Sequence, residues 1–154
     1  VGAGTGATVG KWAGVSHARP AGIGTASLSD GELVVGALVA CNAVGDVYDE
    51  RGEPLAATGA GPGATWEAPS GRSTVLTVVA TNARFDRSAL GHVAAMSDAG
   101  VVRAVRPAHT PFDGDVVFAA ATGRLEAPAW VVGEMGAAAV AEAIRRSVAR
   151  VGPS

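Results

Sequence analysis

Apolar and polar residues alternate or run together in a few well-bounded stretches of this chain, and those stretches set its expected elements. Residues 22–28 and 32–42 read as two strands joined by a Ser-Asp-Gly turn at 29–31. The second is apolar nearly throughout, as in LVVGALVA at 33–40, the pattern of a strand buried on both faces. Residues 74–80 form a β-branched, apolar run that predicts a central strand. Asp86 or Ser88 then offers a helix N-cap, followed by an approximate helical stripe of Leu90, Val93, Ala94, Val101 and Val102. Gly100 interrupts that stripe and Pro107 stops it. A short strand over 115–121 comes after the turn-like PFDG. Residues 127–150 close the chain as a long Ala-rich helix, with Pro128 tolerable in its first turn and arginines towards its end. The order strands, linker, strand, helix, strand, helix implies mixed α/β layers.

Two stretches have no sustained period. VGAGTGATVG at 1–10 carries four glycines and reads as a backbone-dominated loop leading to Lys11 and Trp12. RGEPLAATGAGPGATWEAPSGR at 51–72 has three prolines and five glycines and reads as a mobile surface loop or linker. It ends abruptly at Ser73-Thr74, so a hydroxyl residue stands where a flexible segment meets a buried strand.

Composition narrows the class. With 154 residues and 48% hydrophobic content, a single domain can bury a core without metals or disulfides. A net charge of −2 and a longest basic cluster of Arg145-Arg146 exclude a nucleic-acid footprint, which leaves a small or peptide-sized partner. Cys41 is the sole cysteine, so no internal disulfide forms and a reducing cytoplasm is the simplest home. No apolar stretch reaches the roughly 20 residues a membrane helix needs. The chain opens inside a glycine-rich phrase without a methionine and reads as a fragment or processed product.

Candidate chemistry is thin when each motif stands alone. VGAGTGA meets the dinucleotide pattern only by force, for no strand precedes it, and Gly14 and Pro20 break up the residues where a helix would be needed. His17, His92 and His109 lack metal-ligand spacing, so metal catalysis is not expected, and no G-x-S-x-G elbow supports a serine triad. Lys11 either presents donors to a substrate carbonyl and helps set a nucleophile's protonation, or is a solvated lysine. Asp113 and Asp115 in FDGD either flank a nucleophile or are a turn aspartate beside a surface one. Asn42 either aims its amide at a developing oxyanion or caps the turn before Gly45.

Taken together, GAGTGATVGK at 2–11, GALVACNAVGDV at 36–47, STVLTVVATNA at 73–83 and HTPFDGDVVFAAATG at 109–123 resemble successive blocks of the DmpA-like family of L-aminopeptidase/D-esterases and β-aminopeptidases. The nylon-oligomer hydrolases belong to the same family, and their threonine nucleophile is the closer match. The resemblance implies a layered αββα sandwich of the DmpA and ornithine acetyltransferase type, of which this chain is the C-terminal portion. It implies a precursor that cuts itself before Thr74, leaving 1–73 as the end of an α chain and 74–154 as a β chain. Thr74 then matches the nucleophile, Asn42 the oxyanion-hole asparagine, Lys11 the active-site lysine, and Asp113 and Asp115 the pair that orients the nucleophile.

Ser73 stands before the junction where threonine-type relatives commonly carry Asn, and it is itself a second candidate hydroxyl. The activity implied is amide hydrolysis on small peptides, or on related amides or esters, without a cofactor. It would be carried by a homo-oligomer of α/β pairs completed by the missing N-terminal segment. An acyltransferase of the ornithine acetyltransferase type and an unprocessed, non-catalytic assembly subunit are the alternatives.

Overall fold

The computed structural model describes residues 2–69 and 73–149. Its elements in chain order are β1 (Thr8–Val9), a 3-10 turn (Val15–His17), β2 (Arg19–Pro20), β3 (Ile23–Asp30), β4 (Leu33–Asn42), β5 (Asp46–Tyr48), β6 (Pro54–Ala56), β7 (Thr74–Ala83), α1 (Arg87–Ala104), β8 (Val105–Arg106), β9 (Val116–Leu125) and α2 (Ala129–Ala149). The four long strands make one sheet in the order β3-β4-β7-β9, beside small sheets β1-β2 and β6-β5-β8. β3, β4 and β7 are antiparallel neighbours, whereas β9 runs parallel to β7 after the α1 crossover.

Side-chain parity explains the layers. Val75, Thr77, Val79, Thr81 and Ala83 of β7 are buried, whereas Leu76 and Val78 between them are exposed. β4 behaves alike, with Leu33, Val35, Ala37, Val39 and Cys41 inside and Val34 and Leu38 outside. This corrects the expectation that 33–40 is buried on both faces. The run is apolar on both faces, but α1 and α2 cover only one of them: α2 lies on β3 and β4, α1 on β9, and the helices on each other. One helical layer and one sheet of the expected αββα sandwich are therefore present.

The helices follow their local signals. Of the two N-cap candidates it is Asp86 that caps α1, its carboxylate accepting the Ala89 N–H at 2.8 Å. Gly100 does not interrupt α1, contrary to the sequence reading. A Cβ there would meet the Ala137 carbonyl oxygen and the Val140 side chain of α2, so the glycine serves close helix contact rather than a break. The segment read as a mobile linker is anchored where it is described. It contributes β6 to the small sheet with β5, the Thr58 N–H binds the Asp46 carboxylate at 2.8 Å, and Trp66 lies 5.3 Å from Trp12 between ring centroids. Residues 70–72 of that segment lie outside the described part.

Candidate functional site

Antiparallel pairing of β4 with β7 places Asn42, the last residue of one strand, opposite Thr74, the first of the other. Both have the parity of the uncovered sheet face. They line an open cleft of about 240 Å³ together with the 4–7 loop, Ala40 and Leu76. Two blocks that are 32 residues apart in the chain thus meet through register alone.

Asn42 is oriented by its acceptor end. Its Oδ1 receives the Thr8 N–H at 3.1 Å and the Lys11 ammonium at 2.9 Å, and Lys11 also donates to the Asn42 carbonyl at 3.1 Å. Two donors on Oδ1 fix the amide flip, so Nδ2 is the end turned away from Lys11. Lys11 is 5% exposed. Burial lowers its pKa from the ordinary lysine value, partly offset by the charge of Asp113 and by Cys41. The structure thus brings Lys11 to Asn42, and both of its described hydrogen bonds go there rather than to Thr74.

The Ser73–Thr74 peptide is gripped by the FDGD turn. Ser73 bridges Asp113 in parallel fashion, its N–H donates to the Phe112 carbonyl at 3.3 Å, and its own carbonyl accepts the Gly114 N–H at 2.8 Å. The Thr74 hydroxyl donates to that same Ser73 carbonyl at 2.5 Å. Gly114 leaves the room this needs, for a Cβ there would stand 3.2 Å from Thr74 Oγ1. Ser73 itself is 2% exposed. The hydroxyl at the cleft is that of Thr74.

Asp113 and Asp115 straddle this grip and bind backbone on either side of it. Asp113 accepts the Val44 N–H at 3.1 Å through one oxygen, and the Thr110 N–H at 3.1 Å and hydroxyl at 2.6 Å through the other. Asp115 accepts the Val75 N–H at 2.8 Å through Oδ1, while Oδ2 faces His109 Nδ1 at 2.9 Å. Asp113 therefore ties the turn to the residues just after Asn42, and Asp115 ties it to the residue just after Thr74. Burial raises the pKa of Asp115, opposed by the Val75 N–H, reinforced by the charge of Asp113 and opposed again by His109.

The sequence assigned no role to Thr8, Gly114 or His109. Two of them act through backbone groups, which no residue type announces, and His109 lies six positions before its carboxylate with no period linking them. The signal that singles out His109 is conformational: it is a non-glycine residue at φ 53°. Among the described residues no cluster of His, Cys, Asp or Glu is arranged to hold a metal, and no helix is long and apolar enough to cross a membrane.

A sequence profile of peptidase family S58 matches residues 1–151. An uncharacterized aminopeptidase of Mycobacterium leprae is 38% identical over 145 residues, covering 84% of this chain and 38% of the relative. A similarly described protein of Mycobacterium tuberculosis is 34% identical over 127 residues, 70% of this chain and 37% of the relative. The chain spans less than two fifths of the length of either. Among solved structures, a β-aminopeptidase of a Burkholderia species superposes with a TM-score of 0.63 at 25% identity, over 95% of this chain and 44% of that one. An L-aminopeptidase D-Ala-esterase/amidase of Ochrobactrum anthropi, described as a variant of the Ntn hydrolase fold, gives a TM-score of 0.64 at 20% identity, over 95% and 43%. The fold is that of these structures, held here in part.

Proposed function

The chain belongs to peptidase family S58, and from that premise we propose that it is the catalytic portion of an N-terminal-nucleophile amide hydrolase whose nucleophile is Thr74. The observation that carries the reading is the Thr74 hydroxyl resting on the Ser73 carbonyl, whose oxygen also takes the Gly114 N–H, at the edge of a cleft lined by Asn42.

Self-cleavage is then a matter of local chemistry. Thr74 Oγ1 adds to the Ser73 carbonyl carbon, and the Gly114 N–H stabilises the oxygen as it gains charge. The Ser73–Thr74 C–N bond breaks as the hydroxyl proton is delivered to the departing nitrogen, which leaves an ester between Ser73 and Thr74 Oγ1. Water hydrolyses that ester, giving a Ser73 carboxylate, a regenerated hydroxyl and a free α-amine. The chain is thereby divided into 1–73 and 74–154 within one catalytic domain.

In turnover the new α-amine, with a pKa near 7.7–8.0 in model peptides, takes the hydroxyl proton as Thr74 attacks an amide or ester carbonyl. Asn42 Nδ2 donates to the oxyanion, and Lys11, holding Oδ1, keeps the amide in the flip this requires. The α-ammonium returns its proton to the leaving amine, and water then releases the acyl group from Thr74. Asp113 and Asp115 position the two backbone segments that carry Asn42 and Thr74.

The substrates proposed are small peptides and related amides or esters. The remainder of a longer polypeptide completes the site, in a homo-oligomer of α/β pairs. The location proposed is the cytoplasm, and the Cys41 thiol, pushed up to about 11 by burial, stays protonated and inert.

Intact-mass measurement of the full-length product, wild type against Thr74→Ala, tests the reading together with an assay on aminoacyl amides. Wild type is expected to yield two chains that begin and end at Ser73/Thr74 and to release amine, whereas the variant stays whole and inert. An uncut, inactive wild type sinks the hydrolase reading. Activity that appears only when an amine acceptor is supplied points to acyl transfer.

A further inference from the structure

His109 takes no part in either the cleavage or the turnover steps, yet it occupies a costly backbone position beside the nucleophile's supports. At φ 53° it lies in the left-handed region, which L-residues other than glycine rarely adopt, although His, Asn and Asp visit it more readily than other side chains. Its two ring nitrogens face carboxylates from separate parts of the chain: Nδ1 meets Asp115 Oδ2, just before β9, at 2.9 Å, and Nε2 meets Asp98 Oδ2 of α1 at 3.3 Å.

The two carboxylates differ in kind. The Asp98 side chain is 41% exposed, whereas that of Asp115 is 5% exposed and needs a partner for each oxygen. One Asp115 oxygen has the Val75 N–H, and the other has His109. The oxygens of neighbouring Asp113 are already engaged by Val44 and Thr110. The ring is therefore the group that closes the set around Asp115.

We propose that His109 is a positioning residue: anchored on α1 through Asp98, it holds Asp115 against the Val75 N–H and thereby fixes the attitude of Thr74 towards its electrophile. The inference rests on Thr74 being the nucleophile. A neutral ring has one N–H donor, so only the doubly protonated ring donates to both carboxylates. Asp98 and Asp115 face the ring, and the charge of Asp113 acts on Asp115. The linkage runs from the middle of α1 through the imidazole and Asp115 to Val75, one residue from the nucleophile. Misplacing a reacting group by about 1 Å can cost on the order of 100-fold in rate, which sets the scale of effect for so indirect a support.

The test compares three variants of the full-length protein by steady-state kinetics on an aminoacyl amide and by intact mass. His109→Gly removes the ring and relieves the backbone. His109→Asn tolerates the same φ and puts an amide donor where Nδ1 stood. His109→Gln places its donor nearer to where Nε2 stood. Expected are a 10- to 100-fold fall in kcat with KM within about threefold for Gly and Gln, and recovery of most of that loss in Asn. Wild-type kcat in His109→Gly overturns the proposal, as does an Asn variant no better than Gly.

Should wild type neither cut itself nor turn over substrate, the Thr74 reading falls separately. The bridge is then judged by nitrogen NMR of the imidazole. A hydrogen-bonded Nδ1–H signal that Asp115→Asn shifts, together with an Nε2 signal that Asp98→Asn shifts, upholds it, and a ring lacking either response overturns it.

Discussion

Asn42 and Asp115 show how single side chains at this site are committed by their neighbours. With Oδ1 of Asn42 taken by Thr8 and Lys11, the amide has one orientation to offer, and Asn42→Ala removes the proposed oxyanion donor. The expected cost is about 10²–10³ in kcat, equivalent to roughly 2.7–4 kcal/mol, measured on a substrate whose KM changes little. Lys11→Met takes away the charged anchor of the same amide, and a smaller fall in kcat is expected in the same assay. Asp115 gives a pH signature with a defined sign. It serves as an acceptor in its ionised form, and burial raises its pKa, so the acid limb of kcat/KM lies above the ordinary carboxylate range. Since His109 opposes that rise, His109→Gly moves the limb to still higher pH. Stability responds with the opposite sign: with the folded pKa above the unfolded one, the contribution is full below the unfolded value and lost as pH rises through the folded value. Unfolding titrations of wild type and Asp115→Asn should therefore differ by that slope over the acid range.

At the scale of elements, long periodic segments were legible and short ones were not. β3, β4, β7, α1, β9 and α2 all coincide with stretches whose pattern predicts them, because each runs for at least eight residues with one face on the core. β5, β6 and β8 have two or three residues each and exist only through pairing with one another, which leaves no period to read. The site divides the same way. Thr74 was legible as a hydroxyl residue at the start of a buried strand, and the sequence blocks supplied its four companions. The meeting of Asn42 with Thr74, and of His109 with both Asp98 and Asp115, depends on register and crossover. Gly100 gives the testable case of a misread signal. Gly100→Ala drives a methyl into the Ala137 carbonyl and Val140, and overpacking of that kind costs about 1–3 kcal/mol. Gly91→Ala in the same helix meets nothing within 4 Å and should stabilise by about 0.5–1 kcal/mol, both read from denaturant midpoints.

For the molecule as a whole, the informative feature is the sheet face that α1 and α2 leave uncovered. Leu38, Val78 and Phe118 stand side by side across β4, β7 and β9, and Leu76 and Val34 extend the apolar surface along the strands. The candidate cleft opens on this same face, so whatever covers the sheet also shapes that cleft. The relatives are more than twice as long as this chain, and the proposal gives the cover to the rest of such a polypeptide. Phe118, 59% exposed in this chain, decides the matter. If a second layer packs on the sheet in the full-length protein, Phe118→Ala creates a cavity and costs about 3–5 kcal/mol of unfolding free energy. If the face meets solvent, the same change stays within about 0.5 kcal/mol, as surface substitutions usually do. The first outcome is expected, with a higher KM for amide substrates because the pocket wall above Thr74 and Leu76 is loosened along with the cover. A neutral result would mean that the cleft is open to solvent from above, and the proposed completion of the pocket by the remaining polypeptide would have to be abandoned.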